Sequence, residues 1–276
     1  MKNKGLYYIL PLIITCLCAC VNGKTEKQVL SNDSIELATI SLVDTLNDTI
    51  NQVHCKINAN VGISYPTKYM DKEKTEKLQK LFTEKVLDVA DDSISLASAF
   101  PMYVKELVER YAIETTENYE VEVGDILELE CLLETTIKAV YNQNGIVCFE
   151  VRDSFTNNDQ YYISKNNYYT YNLAEMRLVD VSDIFAEEDM AYISYQLKKQ
   201  LKIVAGVHTE DELVELGFYN IDNVVANNNF MITSEGITWN YLPGELSVVE
   251  PIDITLDYDI LRDYILENSI VSKLID

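Results

Sequence analysis

Residues 228–264 read NNFMITSEGITWNYLPGELSVVEPIDITLDYDILRDY and hold the chain's only tryptophan, Trp239. Phe230 and Ile232, then Ile237, Trp239 and Tyr241, recur at every second position, the period of a half-buried strand. Ser234-Glu235-Gly236 separates the two runs as a turn, with the glycine free to take a positive φ. A second pair of short strands is expected at residues 246–249 and 252–256, with Pro251 between them at an edge or bulge. Tyr258, Leu261, Tyr264 and Ile265 then change to helical spacing. The stretch predicts a small antiparallel unit closed by a helix.

Immediately upstream, Thr209 and Glu212 form a capping box for a short helix ending at Gly217. Before it, Glu187, Glu188 and Asp189 open a longer helix that Lys198, Lys199 and Lys202 close, matching the helix dipole at both ends. Its buried stripe is read as Met190, Ile193, Leu197, Leu201 and Val204. These charges have a structural use and do not by themselves mark a site.

Residues 126–155 predict a long hairpin. Leu127, Leu129, Cys131, Leu133, Ile137, Ala139 and Tyr141 share one face, and Val147, Phe149, Val151 and Phe155 share a face of the next strand. A three-residue loop, Gln143-Asn144-Gly145, aligns the two sets. Two helices are expected before it. One carries Leu78, Leu81, Phe82, Val86 and Val89; the other starts near Phe100 with Pro101 in its first turn. Val53, Cys55, Ile57, Ala59, Val61 and Ile63 alternate along a strand ending at Pro66. The fold class is therefore α+β, antiparallel sheets packed with helices, in two closely associated subdomains covering residues 51–172 and 173–276.

Tyr161, Tyr162, Tyr168, Tyr169 and Tyr171 flank Lys165-Asn166-Asn167, read as the turn of a strand pair. Aromatic rings with polar tips suit recognition surfaces, so Tyr161, Tyr162, Tyr168 and Tyr169 are the candidate binding residues. The alternative is that alternate tyrosines simply cover a core edge.

The N-terminus carries Lys2 and Lys4, then an apolar run too short to span a bilayer, which reads as a signal peptide over residues 1–19. Leu17-Cys18-Ala19-Cys20 has the form of a lipobox, so Cys20 is the expected lipidation site and the new N-terminus. An ordinary secretory leader with an incidental cysteine is the alternative. Residues 20–50 are polar, apart from a weak apolar patch between Ile35 and Val43, and read as a flexible tether. The expected location is the cell envelope, lipid-anchored at the outer membrane or periplasmic face.

Removing residues 1–19 takes away two lysines and no acid, so the formal net charge of −23 becomes −25. Such a surface excludes nucleic acid as a partner and steers basic proteins toward it. Cys55, Cys131 and Cys148 remain in the mature chain, so at least one thiol is free or pairs with another molecule. Cys131 and Cys148 fall on opposite faces of the predicted hairpin, which disfavours a bond between them. The sequence holds no zinc spacing, phosphate-binding glycine loop, nucleophile elbow or calcium loop, and no cofactor or metal is expected. Carboxylates at glycosidase separation remain conceivable in the fold, but spacing cannot reveal them.

The order strand, Gly-Ile-Thr-Trp-Asn-Tyr (236–241), Pro-x-Glu-Leu (243–246), strand, Tyr-x-x-Leu (258–261) resembles the RsiV-like C-terminal domain family. Leu178-Val-Asp-Val-Ser-Asp-Ile-Phe185, leading into a helix, extends the likeness. It spans residues 170–265 closely and 51–165 more loosely. Gly244 stands where the family has a tyrosine, and Glu250-Pro251 replaces a common glycine. The resemblance implies an extracytoplasmic domain, which in an anti-sigma factor of the family recognises lysozyme and elsewhere accompanies peptidoglycan deacetylase domains. No second apolar span occurs, so transcriptional regulation is not expected to carry over. What it implies is a non-catalytic envelope lipoprotein that binds a basic lysozyme, or, alternatively, peptidoglycan; an envelope hydrolase is the third reading.

Overall fold

The structure, a computed structural model, describes residues 33–91, 93–117, 127–157, 160–247 and 250–275, without the side chains of 160–164. The signal peptide and Cys20 lie outside the described residues. The fold is α+β. Strands β1 (Glu36–Ile50), β2 (Val53–Lys68), β3 (Leu127–Gln143), β4 (Ile146–Asn157), β5 (Gln160–Asn172) and β6 (Arg177–Leu178) form one sheet in chain order. Only β2 and β3 run parallel. They are joined through helices α1 (Lys72–Lys85) and α2 (Leu96–Glu117), because parallel neighbours need a crossover.

The alternating residues of β2 and β3 point into a core under these helices. Val53, Ile57, Ile63, Leu133 and Ile137 meet Phe82, Val104 and Leu107 there. Asp71 caps α1 by accepting from the Lys74 N–H at 2.9 Å. Helix α2 begins at Leu96, a full turn before the expected start, and contains Pro101. Ala97, whose carbonyl loses its helical partner to the proline, is exposed like Pro101 itself, so water can satisfy it.

Residues 36–50, expected as part of a tether, are instead the edge strand β1, paired along its length with β2. Leu37, Ile40, Leu42, Leu46 and Ile50 pack against the core only partly, which is why the apolar signal was weak. Asp44 and Asp48 accept from the N–H groups of Thr45 and Thr49, both at 2.8 Å. Strand β2 likewise continues past Pro66, which sits opposite Leu37.

The β3–β4 turn has two residues, not three. Asn144 (φ 57°) and Gly145 (φ 75°) connect Gln143 directly to Ile146. Left alone, that turn would slip the register by one residue and turn the apolar set outward. A bulge between Ala139 and Tyr141 restores it, so Leu133 faces Phe155 and Ile137 faces Val151 as the pattern requires.

Beyond the bulge, Tyr141, Ile146, Cys148 and, on β5, Tyr168 point to the other face of the sheet. There they meet a second core built by the C-terminal elements. These are a three-stranded antiparallel sheet of β7 (Phe230–Ile232), β8 (Gly236–Tyr241) and β9 (Ile252–Asp257), and helices α3 (Met190–Ala205), α4 (Glu210–Glu215) and α5 (Tyr258–Leu261). Strand β4 is covered on both faces, which explains its unbroken buried run from Ile146 to Val151.

Thr209 and Glu212 cap α4 reciprocally, and Gly206 ends α3 in the left-handed region. Ile193, Leu197 and Leu201 are buried, but Val204 is 58% exposed and leaves the expected stripe. Leu246 and Ser247 lie in a turn rather than the expected strand, and Val248 and Val249 lie outside the described residues. Gly236 is required for closeness, not for a positive φ: a Cβ there would collide with the Leu256 carbonyl oxygen of β9.

All three described cysteines are reduced and buried. Cys131 and Cys148 are on opposite faces, as the pattern indicated, but the face of Cys148 is covered by the second core. Its burial pushes the Cys148 thiol up to about 12, making it a poor nucleophile.

Candidate functional site

The lysine-asparagine segment does not turn. Lys165, Asn166 and Asn167 sit inside continuous β5, opposite Asp153, Arg152 and Val151, with a bulge after Ile163. The expected tyrosine hairpin at this point therefore does not exist. Tertiary bonds outweigh local turn preference here, because Asn229 holds this stretch extended. The Asn229 Nδ2 donates to the Asn166 carbonyl (3.0 Å) and to Asn240 Oδ1 (3.2 Å), and its Oδ1 accepts from the Tyr168 N–H (2.7 Å). One side chain thus ties the large sheet to the small one.

Its neighbours extend the strap. Asn228 Oδ1 accepts from the Val181 N–H (2.8 Å), and its Nδ2 donates to Asp180 Oδ2 (2.7 Å). Asn227 Nδ2 donates to the Asn240 carbonyl (3.1 Å). Asp180 also caps the 3₁₀ turn Val181–Asp183, and Arg177 grips Asp183 with both terminal nitrogens, at 2.5 and 2.9 Å. The Leu178–Phe185 element of the sequence thereby builds one wall of a cleft of about 480 Å³. Asn167, Tyr169, Asp180, Asn228, Leu242 and Glu245 line it. The cleft has amides, carboxylates and apolar edges but no cation. Such a lining can hydrogen-bond a neutral polar ligand and would repel an anion.

The structure brings Tyr168 and Tyr169 to this cleft but does not expose both. Tyr168 is 7% exposed, with its hydroxyl donating to Asp253 Oδ2 at 3.3 Å. Tyr169 is half-buried. The side chains of Tyr161 and Tyr162 lie outside the described residues.

Among the described residues, the exposed tyrosines lie elsewhere. On α3, Tyr192 stacks on Tyr264 of the 3₁₀ turn Arg262–Tyr264, with ring centroids 4.2 Å apart, and Tyr195, one turn on, is 62% exposed. Desolvation, a hydrogen bond that Tyr264 donates to Tyr192, and the charges of Asp263 and Asp189 hold the Tyr264 hydroxyl above its ordinary range. The pair is thus rimmed by acids. Tyr192 and Tyr195 lie opposite the buried stripe of Ile193 and Leu197. That spacing, an aromatic i, i+3 pair on a polar helix face, was the available signal.

Among the described residues, no group of three or more His, Cys, Asp or Glu side chains is placed to hold a metal. No described helix is long and apolar enough to cross a membrane.

Two sets of carboxylates shift in opposite directions. Desolvation raises Asp153, against bonds from Thr135 and Tyr111, and raises Asp253, against bonds from Asn240 and Tyr168. The backbone at Ser182 lowers Asp180, Arg177 lowers Asp183, and the backbone at His208 lowers Glu212. A raised carboxylate binds its proton more tightly folded than unfolded, so the stability it costs at neutral pH returns as pH falls. A depressed carboxylate contributes stability that is lost as pH falls through its folded value. Calorimetry should therefore show the melting temperature rising as pH falls from neutral toward the ordinary carboxylate range, and dropping once pH falls below that range. Asp153→Asn should flatten the rise and leave the acid-side fall in place.

Solved structures share this fold. A member of the DUF3298 family from Bacteroides fragilis superposes with a TM-score of 0.70 at 16% identity, covering 88% of this chain and 98% of its own. A DUF3298 family protein from Pseudomonas aeruginosa gives a TM-score of 0.52 at 10% identity, covering 86% and 97%. At these identities the likeness establishes the fold alone. No family model and no curated protein matches the chain.

Proposed function

We propose that this chain is a non-catalytic envelope lipoprotein, anchored through Cys20, that captures a basic extracytoplasmic protein of the lysozyme type. The observation that carries this reading is the stacked Tyr192–Tyr264 pair with Tyr195 beside it and Asp189 and Asp263 at its rim. Rigid aromatic anchors inside a charged rim are the ordinary composition of a protein interface. Residues 173–276 carry 20 Asp and Glu against six Lys and Arg, so the rim belongs to a subdomain of net charge −14. A basic partner would be steered to it, and the attraction would weaken with salt. The sequence resemblance to the RsiV-like family, in which lysozyme is recognised, points the same way.

The test is calorimetry of the soluble mature domain with a basic c-type lysozyme at low and physiological salt, with inhibition of wall lysis measured in parallel. The expected result is one-to-one binding that blocks lysis and weakens with salt. Tyr264→Ala should reduce affinity at least tenfold, the loss of about 1.4 kcal/mol or more typical of a central aromatic. Absence of binding at either salt, with the fold intact, would sink this reading.

The amide-lined cleft favours a second reading, binding of a peptidoglycan fragment at Asn167, Tyr169, Asn228 and Glu245. Hydrogen bonds and stacking would carry that affinity, so it should survive high salt and be lost in Tyr169→Ala rather than Tyr264→Ala.

A further inference from the structure

A smaller cavity of about 200 Å³ lies on the face of the large sheet that carries α1 and α2. In a chain with twice as many acids as bases, three cations converge there: Lys85, Arg110 and Lys165. Lys85 is paired with Glu84 at 2.8 Å, whereas Arg110 and Lys165 form no ion pair among the described residues. Tyr103 of α2 lines the same cavity. It is 5% exposed, and its hydroxyl has no hydrogen-bond partner among the described residues. A buried hydroxyl left unpaired costs about 1–3 kcal/mol, so its place on a cavity wall calls for an acceptor.

Asp88 and Glu106 also reach the lining, and Asp88 holds a left-handed backbone (φ 56°) where the chain leaves α1. The two free cations could be read as counter-charges to Asp153, which lies buried nearby. That carboxylate already accepts from Thr135 (2.8 Å) and Tyr111 (3.5 Å). Desolvation raises its proton affinity while the charges of Lys165 and Arg110 lower it, so a single carboxylate stands against two cations. Burial, then the charge of Asp153, also keep Tyr103 protonated, which preserves it as a donor. The lining thus carries three cations and a tyrosine against the carboxylates of Asp88 and Glu106, a cationic excess in an otherwise acidic chain.

We infer that this cavity binds a small oxyanion, a carboxylate or phosphate group, between Arg110 and Lys165 with a hydrogen bond from Tyr103. Arg110 offers a planar fork suited to two oxygens of one group, and Lys165 a point charge. The volume is below the range of about 300–1,000 Å³ usual for sites of larger ligands, so a compact anion or one terminal group fits. This site is distinct from the aromatic surface, and it shares only Tyr169 with the amide-lined cleft, whose lining has carboxylates and no cation.

Calorimetric titration with inorganic phosphate, acetate and N-acetylalanine, at ionic strength held constant with chloride, tests the inference. Saturable one-site binding of at least one probe is expected, weakened about tenfold or more by Arg110→Met or Lys165→Met. Tyr103→Phe should weaken it several-fold while keeping the ring in place, so the test holds even if a cation variant folds poorly. Preference for phosphate would assign an inorganic source, and preference for N-acetylalanine over acetate the end of a larger organic molecule. No saturation by any probe, or unchanged affinity in the folded variants, would overturn the site.

Discussion

Trp239→Ala is expected to destabilise the protein by about 3–5 kcal/mol, the usual cost of removing a buried indole from a packed core. Trp239 is fully buried at the middle of β8, opposite Phe230 on β7 and Ile254 on β9. Its ring centroid lies 6.2 Å from Phe185 and 6.4 Å from Phe230, so the Leu178–Phe185 element and the small sheet converge on it. Against a total stability of about 5–15 kcal/mol, the alanine variant should retain only a fraction of the wild-type margin. The indole Nε1–H, however, has no hydrogen-bond partner among the described residues. Leaving such a group dry costs about 1–3 kcal/mol, which Trp239→Phe would recover while giving up part of the ring volume. Urea unfolding followed by circular dichroism should therefore place the phenylalanine variant much nearer to wild type than to alanine. An alanine variant within 1 kcal/mol of wild type, taken as roughly the error of such comparisons, would show that the second core is not organised around this residue.

The strand periodicity around Trp239 was legible because Ile237, Trp239 and Tyr241 all point into one core. What the period concealed is that Thr238 and Asn240, read as the solvent face, are buried as well. They form a polar layer: Asn240 donates to Asp253 at 2.8 Å, and Thr238 meets Thr255 at 2.8 Å. A polar residue buried by a neighbouring subdomain has the same sequence appearance as one facing water. The same ambiguity hid β1, where Asp44 and Asp48 interrupt an alternation that only half-buries its apolar members. The β3–β4 hairpin shows a different limit. Strand pattern and turn composition each implied a register, and a bulge reconciles them where a third loop residue had been expected. The tyrosine segment failed for a third reason, since Lys-Asn-Asn has turn composition and is held straight by an asparagine more than 60 residues away. The candidate surface on α3 was overlooked because its tyrosines lie opposite the stripe that identifies the helix. Helical spacing of apolar residues locates the face that folds the chain, and the only mark of the outward face is the i, i+3 pair of tyrosines.

Asn229→Asp is a substitution of nearly identical shape, yet it should destabilise the protein by about 3 kcal/mol, on the scale of two or more buried polar groups losing their partners. The retained Oδ1 could still accept from the Tyr168 N–H. The second oxygen, however, would replace an amine that now donates to the Asn166 carbonyl and to Asn240 Oδ1. Three acceptors would then face one another, one of them charged, in a layer that already contains Asp253 and the Oδ1 of Asn166, which has no partner among the described residues. Asn229→Ala removes that repulsion but also strips the Tyr168 N–H of its acceptor, so alanine should do no better than about 2–3 kcal/mol of loss. Because Asn229 joins β5 to the small sheet, the damage should fall on the connection between the two cores more than on either core. Trp239 is the only tryptophan, so its fluorescence reports the second core alone, while circular dichroism reports both. In the wild type the two probes should unfold together, and in Asn229→Asp the fluorescence midpoint should fall first. Coincident midpoints with stability within about 0.5 kcal/mol of wild type would mean that the layer tolerates a charge there. The asparagine strap would then be a lining of the cleft and not the joint that sets its shape.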